Sequence, residues 1–159
     1  MFEKFGEFDS AEELNKTAAG LKTEGDMESL LELAEENGLD KEDAEDYMDG
    51  TVEEFVNPLM SAMGKLKVEE KDLKPYGIML DWLSYIRAVC TDHEEMCAAV
   101  RKKGKSLKGC VAELLVYSFK TMKEVDEEIK KRAKVQSCKL GIPDMATAKE
   151  IIKKYYLGA

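Results

Sequence analysis

The sequence feature that most constrains the fold is an acidic run from Glu24 to Glu54. It contains fourteen carboxylates and a single base, Lys41. Like charges three or four residues apart on a helix repel by about 0.2–0.5 kcal/mol per pair. Burial elsewhere must therefore support any helix that forms here. A run of this kind is usually a solvated face and sometimes a binding surface.

Charge divides the chain into two halves of opposite sign. Residues 1–64 carry nineteen acids and four bases, whereas residues 65–159 carry fourteen acids and twenty bases. Opposite fields on two parts of one molecule steer partners or attract each other. The asymmetry indicates an interaction role, with mutual attraction of the two halves as the plain alternative.

Apolar residues recur at helical spacing along most of the chain, and only three prolines interrupt them. No internal repeat or strand pattern is found. We therefore expect an all-α fold in which an acidic N-terminal module of short helices is packed on or linked to a C-terminal helical bundle. The predicted organisation is a tail over residues 1–8, the acidic module over 9–66, a charged linker over 67–74 and the bundle over 75–159.

Capping residues predict where the helices begin and end. In the acidic module we expect N-caps at Ser10, Asp26, Asp40 and Thr51, and stops near Gly25, Gly38 and Gly50. The apolar stripe of the helix from Thr51 should continue across Pro58, which bends the helix or ends its first part; its members are Val52, Phe55, Val56, Leu59, Met60, Met63 and Leu66.

In the second half, a broadly apolar helix follows Pro75, and a new cap at Thr91 interrupts it. Ser106 is predicted to cap the longest helix, whose apolar positions extend to Ile129. A last helix buries Ala148, Ile151, Ile152, Tyr155 and Tyr156. In the tail, Phe2, Phe5 and Phe8 either dock or fray.

The N-terminal residues are acidic and do not resemble a signal peptide, and the most apolar window is too short and too charged to cross a bilayer. We expect a cytoplasmic protein. Its four cysteines, Cys90, Cys97, Cys110 and Cys138, are then expected to be reduced, mostly as small buried hydrophobic side chains.

Catalytic chemistry has little support in the sequence. The single histidine, His93, has no Ser or Cys in a recognisable nucleophile motif beside it. Gly104, Lys105 and Ser106 match the end of a phosphate-binding loop, but the glycine that the motif requires five residues before Gly104 is Ala99. The acidic run lacks the glycine of a calcium-binding EF-hand. We predict neither an enzyme nor a cofactor.

One set of soft metal ligands needs weighing. Cys90, His93 and Cys97 share a helical face if their helix is continuous, and Cys110 could be a fourth ligand. These ligand types suit zinc. The spacing matches no common zinc module, so buried thiols are the preferred interpretation.

The acidic run can imitate nucleic acid. Thirteen net charges along one helix would have a mean axial spacing of roughly 3.6 Å, close to the ~3.4 Å of one DNA strand. The run thus predicts a basic, nucleic-acid-binding partner. The leading candidate contacts are Glu35, Glu36, Glu42, Asp43, Glu45, Asp46 and Asp49.

A basic surface is the alternative candidate. It comprises Arg101, Lys102, Lys103, Lys105 and Lys108, and it could bind phosphate backbones directly. The acidic half of the same chain would compete with nucleic acid for these bases.

The segment from Trp82 to Leu157 resembles the PcfK-like family of small proteins from conjugative plasmids and other mobile elements. The family also includes anti-CRISPR inhibitors of type II effector nucleases. The resemblance rests on IRAVCTDHEEMCAAVRKKGKSLKGCVAELL, with Lys105-Ser106-Leu107 and Cys110-Val111, and on DMATAKEIIKKYY, ending in Tyr155-Tyr156. It covers about half of the chain.

The resemblance implies a non-enzymatic helical protein of a mobile element in a bacterial cell. Together with the acidic run, it leads to the hypothesis of an anti-CRISPR protein that binds a type II CRISPR nuclease through its acidic residues. The alternative is a conjugation accessory protein that binds nucleic acid through the basic surface or acts as an assembly factor. No cofactor and no membrane partner is expected.

Overall fold

The computed structural model describes residues 1–158, and their fold is all-helical, as predicted. These residues form nine helices: α1 (Ala11–Glu24), α2 (Met27–Glu36), α3 (Lys41–Asp49), α4 (Pro58–Leu73), α5 (Ile78–Asp92), α6 (Glu94–Arg101), α7 (Leu107–Thr121), α8 (Glu127–Ala133) and α9 (Met145–Leu157). Two short strands, β1 (Lys123–Glu124) and β2 (Lys139–Leu140), pair antiparallel, with Lys123 opposite Leu140. None of the helices in this range is long and apolar enough to span a membrane.

Side-chain caps place the first helices where the sequence predicts them. The Ser10 hydroxyl accepts a hydrogen bond from the Glu13 amide at 3.1 Å, and the Asp26 carboxylate accepts one from the Ser29 amide at 3.0 Å. Gly25 and Gly50 end α1 and α3 in the left-handed conformation. Local sequence is sufficient for these boundaries because each cap satisfies amides that the helix itself leaves free.

The chain divides into two units, the first spanning Met1–Lys108 and the second beginning at Gly109. The predicted linker over residues 67–74 is therefore wrong as a boundary, because residues 67–73 are the second half of α4. This segment looked irregular because charged residues occupy both sides of the helix. Two of the charges on α4, on Lys65 and Glu69, are in fact buried.

One hydrophobic core cluster of the first unit is built around α1, α2 and α3. Phe5 of the predicted tail packs against this core, so the tail docks. Asn15 of α1 ties down the segment before α4, since its side chain exchanges hydrogen bonds of 2.8 and 2.9 Å with the backbone of Val56. The buried residues of this cluster are Phe8, Ala11, Leu14, Ala18, Leu30, Leu33, Ala34, Ala44, Tyr47, Phe55 and Val56.

The predicted helix from Thr51 is absent. Residues 51–57 are non-helical, Val52 is exposed, and α4 begins instead at Pro58, with the Asn57 side chain accepting the Met60 amide at 2.8 Å. Proline suits the first position of a helix because its missing N–H is not needed there. The buried face of α4 also differs from the predicted stripe, since Leu59, Met60 and Met63 are only partly buried.

In the second half of the sequence, two predicted boundaries move. The helix after Pro75 ends at Asp92, and the residue between it and the next helix is His93 and not Thr91. The helix after Ser106 stops at Thr121, well before Ile129. A turn and strand β1 follow, and α8 begins anew where the Asp126 carboxylate accepts the Glu128 amide at 2.9 Å.

The last helix forms as predicted, although Ile151 and Tyr155 of its expected apolar side are only partly buried. The carboxylate of Asp144 caps α9 by accepting the Thr147 amide at 3.0 Å. Ala148, Ile152 and Tyr156 are buried. Their helical spacing is the pattern that the sequence displayed.

Candidate functional site

The acidic candidate residues lie on two consecutive helices of the first unit. Glu35 and Glu36 are the last two residues of α2. The other five, Glu42, Asp43, Glu45, Asp46 and Asp49, are on α3. The opposite sides of both helices are buried in the core. The carboxylates are therefore presented on folded helices.

Three of the seven candidates have partners within the chain. Glu36 accepts the backbone amide of Lys4 at 3.1 Å and so fastens the N-terminal segment. Asp43 accepts the backbone amide of Asp40 at 3.0 Å at the start of α3. Glu45 forms an ion pair of 3.1 Å with Lys41 one turn earlier. These contacts give the three residues a part in the fold itself.

The remaining candidates form the most available acidic surface. Glu42, Asp46 and Asp49 are exposed and follow the i, i+4, i+7 spacing that places them on one side of α3. We call these three residues the α3 acidic face. Glu35 on α2 is also exposed. Within residues 1–158 the carboxylates of these four residues make no ion pair or hydrogen bond.

The predicted acidic set omitted two residues, Glu28 and Glu32, that lie on the same exposed side of α2 as Glu35. Glu28, Glu32 and Glu35 recur at the same spacing along α2 and are exposed. Glu32 pairs with the ammonium of Lys4. Glu28 was identifiable in the sequence by its spacing from Glu35.

A shallow groove of about 580 Å³ lies beside Glu35. Five carboxylates and two lysines contribute to its lining, so the groove suits a cationic side chain better than an anion. Its lining residues are Met1, Glu3, Lys4, Glu32, Glu35, Glu36, Val68, Lys71 and Asp72.

The alternative basic surface is much smaller than predicted, because Arg101 is only 1% exposed. Its guanidinium donates to the side-chain oxygen of Asn37 at 2.6 Å and lies 5.8 Å from the ring centre of Phe2. Burial lowers the pKa of Arg101 to about 10, which leaves it charged at neutral pH. Arg101 is a core residue and cannot contact a nucleic acid from this position.

The other basic residues lie in or beside the turn between α6 and α7, and the side chain of Lys65 on α4 binds the backbone of this turn. The fully buried Lys65 ammonium donates to the backbone oxygens of Lys102 at 3.0 Å and Lys105 at 2.7 Å. It also pairs with the Glu7 carboxylate at 2.7 Å. Positive charge at the end of α6 is favourable because helix C-termini expose carbonyl oxygens.

The other side of the same turn is held by Glu69, one helical turn after Lys65. Its carboxylate accepts the Leu107 amide at 3.1 Å, at the start of α7. Burial raises the pKa of Glu69 to about 7, even though the positive charge of Lys65 opposes this shift. We call Lys65 and Glu69 the α4 clamp.

Only part of the basic turn remains available for a partner. Lys108 pairs with Asp72 at 2.6 Å, and Lys105 is partly buried. Lys102 and Lys103 are exposed. The contiguous five-residue basic surface expected from the sequence is therefore reduced to two prominent lysines.

The candidate zinc ligands do not form a site. Among the described residues, no three His, Cys, Asp or Glu side chains are placed to hold a metal ion. The Cys97 thiol donates to the Cys90 backbone oxygen at 3.0 Å. Burial raises the pKa of the Cys90 thiol to about 12. Cys90, Cys97 and Cys110 are buried free thiols, as preferred from the sequence, and Cys138 is partly buried.

Comparisons of this chain with protein-family models, with curated proteins and with solved structures find no match.

Proposed function

We propose that this protein is an anti-CRISPR factor that binds a type II CRISPR effector nuclease through the α3 acidic face. The nuclease is bound on a basic surface that otherwise receives DNA or guide RNA. The binding partner is thus a basic, nucleic-acid-binding protein. The resemblance to the PcfK-like family supplies the nuclease as the specific target.

The observation that carries the proposal is the exposure of Glu42, Asp46 and Asp49 along one side of a folded helix. Fixed charges lose little conformational freedom on binding, so they attract a basic partner more effectively than charges on a disordered tail. The first unit carries twenty-six acids and fourteen bases. This excess of twelve negative charges also favours rapid encounter with a basic protein.

The axial spacing between the exposed carboxylates is wider than it would be if the whole acidic run formed one long helix. The acidic run is divided between α2, α3 and the non-helical residues 51–57. Along α3 the three carboxylates are spaced by roughly 5 Å on average, compared with ~3.4 Å per phosphate along one DNA strand. The proposed interaction therefore depends on local charge complementarity and not on a long copy of the phosphate backbone.

The test compares binding of three proteins to a purified type II nuclease, with and without guide RNA, and measures inhibition of DNA cleavage. The first is the native chain, and the second carries Glu42→Gln, Asp46→Asn and Asp49→Asn. The third is a control in which exposed acids elsewhere are neutralised, Glu12→Gln, Glu95→Gln and Glu150→Gln. Both variants change the net charge equally.

We expect the α3 variant to lose at least about tenfold in affinity, a change of 1.4 kcal/mol, while the control variant keeps most of the binding. Equal loss in both variants would indicate a general charge effect and contradict a specific α3 site. No binding by the native chain to any type II nuclease would contradict the proposed target.

Direct nucleic-acid binding is measured in the same series with free DNA. Retention of the native chain on DNA at ordinary salt, lost in Lys102→Gln/Lys103→Gln, would favour the accessory-protein alternative. The burial of Arg101 weakens the support for that alternative, since it removes one of the five predicted basic contacts.

A further inference from the structure

The second unit concentrates the exposed apolar side chains of the protein. Thirteen large hydrophobic residues are exposed within residues 1–158, and nine of them follow Gly109. This unit contributes only about a third of the described chain. Exposed apolar side chains scattered singly are ordinary, whereas a contiguous group marks an interaction surface.

Three of these residues lie on one side of α7, and a fourth, Met122, follows the last residue of the helix. Leu115, Val116, Phe119 and Met122 follow the i, i+1, i+4, i+7 spacing of a helical stripe. The exposed fractions are 43% for Leu115, 45% for Val116, 71% for Phe119 and 36% for Met122. Exposure on this scale shows that the second unit itself leaves the stripe largely uncovered.

Two further exposed apolar residues lie near the C-terminal end of α7. Gly141 approaches α7 so closely that a Cβ on it would collide with the Ser118 carbonyl oxygen and lie 2.8 Å from the Met122 Cα. Its neighbours Leu140 and Ile142, 63% and 62% exposed, are therefore beside the C-terminal end of α7. We call the combined surface the α7 apolar face: Leu115, Val116, Phe119, Met122, Leu140 and Ile142.

The size of the α7 apolar face matches an interface between two copies. At ~150 Å² for a fully exposed side chain, the lower end of the range for aromatic residues, the six residues expose roughly 500 Å². Pairing two such faces would bury about 1,000 Å², which is about the minimum for a specific interface, before any surrounding residue is included.

The charges beside the stripe are self-complementary. Glu113 and Lys120 are exposed and seven residues apart, on the same edge of α7. If two copies of α7 pack antiparallel about a two-fold axis near residues 116–119, Glu113 of each copy faces Lys120 of the other. A parallel pairing would instead place the two Glu113–Lys120 edges on opposite sides of the seam, so these ion pairs would not form. A two-fold interface requires this kind of self-matching surface.

We propose that the protein forms a homodimer in which the α7 apolar faces of two copies pack antiparallel. Phe119 provides the central contact, and the two Glu113–Lys120 pairs set the orientation. The proposal is independent of the acidic surface on α3 and needs no nuclease.

The first experiment measures the mass of the protein by sedimentation equilibrium over a wide concentration range. We expect a reversible monomer–dimer equilibrium that Phe119→Ser weakens by at least about tenfold. The matched control is Tyr76→Ser, because Tyr76 is equally exposed at 73% but lies in the first unit. Circular dichroism of each variant confirms that the fold is retained, as expected for such exposed side chains.

The second experiment tests the antiparallel orientation by exchanging charges. Glu113→Lys alone and Lys120→Glu alone should each weaken the homodimer, because each creates two like-charge contacts. An equimolar mixture of the two variants should restore dimerisation as a heterodimer, in which both contacts are again attractive. Raising the salt concentration should reduce this preference.

A monomer at every concentration would overturn the proposal, as would a dimer that Phe119→Ser leaves unchanged. A dimer that depends on Phe119 without heterodimer recovery would exclude the antiparallel arrangement. Since these measurements involve only this protein, their failure leaves the nuclease-binding test unaffected.

Discussion

Lys65 and Glu69 are one turn apart on α4 and hold opposite ends of the same turn. The Lys65 ammonium binds carbonyl oxygens at the end of α6, including that of Lys102 at 3.0 Å, and the Glu69 carboxylate binds the first amide of α7 at 3.1 Å. Each charge is thus matched to the helix end that favours it. The α4 clamp thus holds the lysine-rich turn between α6 and α7 in place through backbone groups, without using the lysine side chains.

Replacing Lys65 by methionine should strongly destabilise the protein. The change leaves several carbonyl oxygens and the Glu7 carboxylate without their cation, and the removal of one partner from a buried ionic contact typically costs about 3–5 kcal/mol. Urea unfolding of Lys65→Met provides the measurement. Lys67→Met is the control, because Lys67 is exposed and its ion pair with Asp40 should contribute at most ~1 kcal/mol. Similar losses in both variants would refute a special role for Lys65.

Glu69 should make the stability of the protein pH-dependent. Its pKa is raised from 4.5 to about 7 in the folded protein, so the folded state holds a proton that the unfolded state releases between these values. The stabilisation is complete below pH 4.5 and is lost as the pH rises through about 7. The total change is about 3 kcal/mol.

The measurement is the difference in unfolding free energy between the native chain and Glu69→Gln at several pH values. This difference isolates Glu69 from the many surface carboxylates, which titrate in both proteins. We expect the native chain to lose about 3 kcal/mol of unfolding free energy relative to Glu69→Gln between pH 4.5 and 7, and the difference then to level off. A pH-independent difference would mean that folding does not raise the pKa of Glu69.

The α3 acidic face should reduce the stability of its own helix. Asp49 lies in the last turn of α3, where negative charge opposes the helix dipole and repels Asp46. Asp49→Lys should therefore raise stability by about 0.5–1 kcal/mol at low salt. The control, Glu42→Lys, makes the same charge change in the first turn, where it should be neutral or destabilising. If both substitutions stabilise equally, net charge alone is responsible.

A close approach of two glycines positions the partner of Arg101. A Cβ on Gly64 would collide with the Asn37 carbonyl oxygen, and Gly38 adopts φ +71 against Gly64. Gly64→Ala should consequently cost about 1–3 kcal/mol through overpacking, despite the higher helix propensity of alanine. Gly20→Ala in α1 is the control, since nothing lies within 4 Å of its Cβ position. That substitution should stabilise by up to ~1 kcal/mol, and thermal unfolding compares the two.

The all-helical class and the first helix boundaries follow from the sequence. Ser10, Asp26 and Asp144 each satisfy amides within three residues, and helical periodicity identifies Leu14, Ala18 and Ile152 as buried. These features are local, so neighbouring residues suffice to specify them. The presence of an exposed acidic surface is determined in the same way, because fourteen carboxylates in one short run cannot all be buried.

Tertiary structure alone decided which charges are available on the surface. Lys65, Glu69 and Arg101 look like solvated residues in the sequence, yet all three are buried. Their partners, such as Glu7, Asn37 and Leu107, are distant along the chain. The free energy that permits their burial comes from those long-range contacts, which residue spacing does not encode. For the same reason, the unit boundary falls at Lys108 and the basic surface is reduced to Lys102 and Lys103.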